Sequence, residues 1–121
     1  MKKNINNTDF LAAIGGIKVN GTIFLSRQVP LSLENMEIVS KDISEQIEQI
    51  FKNTQNLLES MEYSLKDIVK VSIYMKNMND FIKVKKVYRK YLENINPART
   101  LLEVSHLPKN SKIMMDLVAA K

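Results

Sequence analysis

Few residues in this chain are equipped for chemistry, and most of them lie in its last quarter. Arg99 stands in "NPARTLLEV", between a Pro-Ala turn and an apolar run, and Asp116 stands in the closing "KIMMDLVAAK". A guanidinium is a planar fork of donors that grips a carboxylate through two parallel hydrogen bonds. Chemistry around such an anchor normally requires an acidic partner, and the acid in the last segment is Asp116. The single histidine, His106, precedes Leu-Pro in "SHLPKNS" and reads as a solvated loop residue. The chain has no cysteine, so thiol nucleophiles and disulfides are excluded. One histidine and no cysteine also remove the usual zinc sets, and no metal site is expected. Zero cysteines fit a reducing, cytoplasmic setting.

The elements that must position these residues follow from periodicity. With 121 residues, 45% of them hydrophobic, the chain fits one domain over 1–121, opening with a polar segment at 1–12. No apolar run of 18 residues is present and no signal-peptide pattern follows the basic start, so no membrane association is expected. "GIKVNGTIFLSRQVP" predicts two strands joined at Asn20-Gly21, with Pro30 closing the second. A short third strand is expected at 37–39. Ile43, Ile47, Ile50, Phe51, Thr54, Leu57, Leu58 and Met61 recur at three and four residues and define a helix capped by Ser40 or Asp42. Val69, Val71, Ile73 and Met75 alternate with Lys70, Ser72 and Tyr74, which predicts a strand.

A second helix, capped by Asn79 or Asp80, follows with Phe81, Val84, Tyr88, Tyr91 and Leu92 inward. Residues 100–104 and 113–119 read as two final strands. The order is β-β-(β)-α-β-α-β-β, an α/β arrangement with two helices on one face of a mixed sheet. Tyr74, Leu101, Met114 and Val118 are expected on the other face, covered by another subunit. Net charge is +5, which suits acidic metabolites, polyanions or simply solubility. Lys83, Lys86 and Lys90 share a helical face, with Lys85 and Arg89 beside it, as a solvated or weakly phosphate-binding surface. No aromatic RNA-binding motif accompanies them, and specific nucleic-acid recognition is not expected.

Three stretches carry a family resemblance. "LSRQVP" resembles the "SGQIP" segment of the RidA family, also known as the YjgF family. "DIVKVSIYMKNMNDF" is similar to its "DVVKTTVFLTDMNDF" pattern, and "PARTLLEVSHLPKNSKIMMDLVA" to its "PARSTVEVARLPKGALVEIEAIA". The likeness runs in order from about Ala13 to the C-terminus. It implies a chorismate-mutase-like fold, a homotrimer, and three ligand clefts at subunit interfaces. It also implies hydrolysis of reactive enamine and imine intermediates to 2-keto acids and ammonia, without cofactor or metal. By that resemblance Arg99 is the clamp for a small carboxylate metabolite, and backbone amides near Ser26, Arg27 and Leu101 complete its cradle.

The departures from the pattern bear on chemistry. Met114 stands where the family has its water-positioning glutamate, and a thioether cannot act as a general base. Asp116 matches the second acid of that segment and is the candidate catalytic residue. Alternation places the two on one face, roughly 7 Å apart. No tyrosine matches the family's cleft tyrosine, whose place falls at Ala13 without gaps. Arg27 replaces the glycine of "SGQ", and Lys85 replaces a cleft asparagine. The expected function is binding of a 2-imino or 2-keto acid, with imine hydrolysis if the machinery is retained. The alternatives are a ligand-sensing or interaction protein without turnover, and an RNA-related role of the translation-inhibitor or endoribonuclease type.

Overall fold

Asn20-Gly21 forms a two-residue hairpin because both positions take positive φ, 47° and 83°, the geometry whose twist matches that of paired strands. The computed structural model describes residues 2–4 and 15–121. The hairpin joins β2 (Gly16–Val19) to β3 (Thr22–Gln28), with Val19 opposite Thr22. A short strand β1 (Lys2–Asn4) pairs antiparallel with β2. It falls within the polar segment for which no strand is predicted. Ala13 lies outside the described residues.

The expected third strand at 37–39 is a single bridge between Leu31 and Ile38. The loop is held by a side chain instead: buried Asn53 donates its Nδ2 to the Leu31 carbonyl at 2.9 Å. Helix α1 (Ile43–Ser60) begins at Asp42, whose Oδ2 accepts the Glu45 N–H at 2.9 Å. Ser40 accepts the Asp42 N–H at 3.1 Å, so the two expected caps act in series. The predicted stripe from Ile43 to Leu58 is buried, with Gln46 and Asn53 added to it.

Strand β4 (Ile68–Met75) leads through a short turn into α2 (Phe81–Leu92), and α2 into β5 (Ala98–Glu103), which runs parallel to β4. Asp80 stands at the N-cap of α2, as one of the two expected residues, without a side-chain hydrogen bond, and Asn77 caps the preceding turn at Met78–Asp80 by accepting the Asn79 N–H at 2.9 Å. Val87 joins Val84, Tyr88 and Leu92 as the buried side of α2, while Phe81 and Tyr91 are half-buried. Strand β6 (Ile113–Ala120) then inserts between β3 and β4, giving one six-stranded mixed sheet in the order β1-β2-β3-β6-β4-β5.

Both helices cover one face of this sheet. Ile23 and Leu25 of β3, Val71, Ile73 and Met75 of β4, and Ile113, Met115, Leu117 and Ala119 of β6 pack there against Ile47, Ile50, Phe51, Leu58, Val84 and Leu92. Fully burying each of these side chains other than Ala119 contributes about 1.5–3 kcal/mol. Val69 does not join them. The register slips between Ile68 and Lys70, a bulge that buries Ile68 and turns Val69 out to solvent. Leu101 is also on the helix side, since it registers with Ile73 and packs against the core. Leu102, registered with Tyr74, takes the place expected for Leu101 on the open face.

Candidate functional site

The segment around Arg99 is built as a helix stop followed by an edge strand. Asn96 takes a positive φ of 50° and returns its N–H to the Leu92 carbonyl at 3.2 Å, and Pro97 prevents α2 from continuing. Strand β5 then starts at Ala98 and, among the described residues, pairs only with β4, at the end of the sheet. Arg99 registers with Val71, so its side chain leaves on the helix-covered side, where its guanidinium lies 5.1 Å from the centroid of the Tyr88 ring. Burial pushes the Tyr88 hydroxyl above its ordinary pKa, and the Arg99 charge opposes that rise. Arg99 is exposed, and among the described residues no carboxylate pairs with it. Glu103, a conceivable partner for an arginine in another copy, accepts the Met78 N–H at 2.8 Å.

The residues on the open face form a different cluster. Asp116 registers with Ser72 and Met114 with Tyr74, so the two share that face as alternation requires. Strand β3 bulges between Leu25 and Gln28, and within the bulge Arg27 takes a φ of 55°. A left-handed conformation is a second physical reason for glycine at this position, beside close approach of a ligand. The Arg27 N–H donates to Asp116 Oδ1 at 2.8 Å, and the Tyr74 hydroxyl donates to Oδ2 at 3.3 Å. The Ser26 N–H donates to the Gly15 carbonyl at 3.1 Å. Of the three amides named for the ligand cradle, those of Ser26 and Arg27 are thus engaged within the chain. A shallow cavity of about 240 Å³ lies here, between Phe24, Ser26, Lys70, Ser72, Asp116 and Val118.

Lys85 belongs to neither cluster. It is exposed on α2, one turn before Tyr88, beside a concavity of about 530 Å³ that Lys86, Arg89 and Lys90 also line. Two of these cations are paired, Arg89 with Glu93 at 3.1 Å and Lys90 with Glu48 at 3.0 Å. Within one chain, therefore, Arg99 and Leu101 stand on the helix side of the edge strand, while Ser26, Arg27, Met114 and Asp116 stand on the open face. Tyr74 and Tyr88 touch Asp116 and Arg99, and neither is singled out by a sequence motif. Tyr88 reads as ordinary core and Tyr74 as the polar phase of a strand. Among the described residues no three His, Asp or Glu side chains converge as a metal set would.

Among the described residues, a layer of two helices on one face of a mixed sheet, with a parallel β-α-β edge and the opposite face uncovered, defines an α/β class shared by many solved proteins. The family described as Endoribonuclease L-PSP matches residues 10–121. A RutC family protein of Pyrococcus abyssi is 44% identical over 105 residues, covering 87% of this chain and 83% of that protein. The crystal structure of yeast YEO7 superposes with a TM-score of 0.83 at 37% identity, covering 88% of this chain and 84% of that one. RidA from an Antarctic Psychrobacter superposes with a TM-score of 0.83 at 28% identity, covering 88% and 85%. The chain belongs to this family, the L-PSP or RidA family.

Proposed function

We propose that the chain assembles as a homotrimer whose inter-subunit clefts bind a small 2-imino or 2-keto acid through Arg99. The observation that carries this reading is an exposed guanidinium, held over Tyr88 on an edge strand and unpaired among the described residues. A bare edge and an apolar open face both favour association. Packing one copy against another is also the way to bring Arg99 opposite the residues its own chain keeps on the other face. An arginine fork bound to a carboxylate fixes the neighbouring imine carbon in one orientation. Water adding to that carbon gives a carbinolamine, which collapses to the 2-keto acid and releases ammonia, so one water is consumed for each C=N bond broken.

General acid–base help is thin in this chain. Met114 carries no exchangeable proton, and both Asp116 oxygens already accept hydrogen bonds. Absence of such a group forgoes about 10²–10⁴-fold in rate, leaving orientation by Arg99 as the main source of acceleration. Ammonia release from a 2-imino acid generated in situ, measured above the spontaneous rate, is expected for the wild type and absent for Arg99→Ala. Equal release by the two proteins excludes catalysis through this residue.

The engaged Asp116 also favours a second reading, in which the cleft binds such acids without turning them over. That reading expects saturable calorimetric binding of a 2-keto acid, lost in Arg99→Ala, with ammonia release at the spontaneous rate. RNA cleavage, which the family description carries, would have to proceed without a histidine pair, because exposed His106 is the only histidine in the chain.

A further inference from the structure

Away from Arg99, four lysines converge on one groove of about 510 Å³, and no acidic residue lines it. Lys41 comes from the residue before the α1 cap, Lys76 from the end of β4, Lys109 from the turn at 108–110, and Lys112 from the start of β6. Four separate segments are thus placed together, and hydrogen bonds fix them there. Gln46 is 2% exposed and forms the floor. Its Nε2 donates to the Ser40 carbonyl at 2.8 Å, and its Oε1 accepts the Lys112 N–H at 2.9 Å. The Lys76 N–H donates to the Lys112 carbonyl at 3.1 Å, and Lys76 Nζ donates to Asn110 Oδ1 at 2.7 Å. The backbone carrying these lysines is therefore organised before any ligand arrives.

Gathering four like charges with no acidic residue in the lining raises the local potential and favours anion binding. The α2 surface differs, because Arg89 and Lys90 are already paired with Glu93 and Glu48. A single carboxylate would leave most of the groove's charge uncompensated. Ammonium groups act as point charges and suit the several oxygens of a phosphoryl group, whereas an arginine fork suits a planar carboxylate.

We propose that this groove is a second anion site, one that takes the phosphoryl groups of a small molecule carrying at least two negative charges. It is separate from the Arg99 site and stands whether or not that site is catalytic. Pyrophosphate titrated into the full chain at low salt, followed by calorimetry and by amide chemical shifts, tests it. Saturable binding at one equivalent per chain is expected, with the largest shifts at the Lys41, Gln46 and Lys112 amides. Lys41 and Lys112 are exposed, and among the described residues neither ammonium group makes a hydrogen bond, so replacing them should preserve the fold. The double variant Lys41→Gln/Lys112→Gln is expected to bind about tenfold more weakly, as loss of charge-assisted hydrogen bonds implies. Lys83→Gln/Lys86→Gln on α2 is expected to bind as the wild type does. Absence of saturable binding, equal weakening by the two pairs, or shifts centred on α2 overturns the proposal. Binding of a single-stranded oligonucleotide through Lys41 and Lys112, with pyrophosphate inert, overturns the assignment to a small molecule.

Discussion

On one face of the sheet, Ile23, Leu25, Val71, Ile73, Met115 and Leu117 meet the two helices and are buried. On the other, Phe24 and Leu102 remain 46% and 51% exposed, with Tyr74, Met114 and Val118 half-buried beside them. The strands supply apolar side chains to both faces, but among the described residues helices cover only one. The first face is finished by folding, and the second is the one that the proposed trimer would cover. The contrast also divides the candidate site. Arg99 leaves on the first face, at an edge strand that is itself exposed, and Asp116 leaves on the second.

Two phenylalanines separate these faces most sharply. Phe51 is fully buried, stacked on Tyr91 with ring centroids 4.6 Å apart and edge-on to Tyr88 at 6.2 Å. Phe51→Ala is expected to cost about 3–5 kcal/mol of stability in denaturant titrations. Phe24→Ala removes a side chain of the same size from the open face. It should leave the subunit folded while shifting sedimentation toward smaller species. If Phe24→Ala destabilises a dilute, dissociated subunit as much as Phe51→Ala does, the distinction between the faces fails.

Within the open face, Asp116 gives a smaller effect of a different kind. Its carboxylate accepts the Arg27 N–H and the Tyr74 hydroxyl, tying β6 to the bulge in β3 and to β4. Asp116→Ala removes the acceptor of the exposed Arg27 amide, at a cost of about 0.5–1.5 kcal/mol. Asp116→Asn keeps an acceptor oxygen and should recover most of that loss. A catalytic carboxylate would behave otherwise: Asp116→Asn would then be stable and inactive. Denaturation midpoints and ammonia release, measured on both variants, separate a structural tie from a base.

The difference between the faces also shows what the amino-acid pattern could reveal. Period-two alternation places Ile73, Met75, Met115 and Leu117 inward, and places Met114 together with Asp116, because nothing interrupts β6. It misplaces Val69 and hides the geometry at Arg27, because each lies at a bulge where one residue changes the phase. An arginine gives no local sign that its φ will be positive. In "TLLEV" two adjacent leucines make either phase acceptable, and only pairing with β4 sends Leu101 inward and Leu102 outward. The same pairing sets Arg99 on the helix side, which no motif around it specifies. Strand β1 is polar and escapes detection because its pairing to β2 runs through the backbone.

The smallest expected effect lies at the rim of the finished face, where Glu48 meets α2. Burial pushes the Glu48 carboxyl upward, but hydrogen bonds from the Tyr91 hydroxyl and Lys90, with the charges of Lys90 and Lys52, hold it below its ordinary 4.5. Tyr91 is pushed up to about 12 by burial first and by Glu48 second. The two shifts act at opposite ends of the pH scale. A depressed carboxyl stabilises the fold above its unfolded value, and that contribution fades as pH falls below about 4.5. A raised phenol stabilises the fold fully below 10 and loses that contribution as pH rises from 10 through about 12, because the unfolded chain ionises first. Tyr91→Phe keeps the ring stacked on Phe51 and removes the hydroxyl. Its stability curve should fall less steeply than the wild type's at both ends, with the open face unaffected. Parallel curves for the two proteins between pH 10 and 12 would show that the Tyr91 hydroxyl adds nothing to the rim.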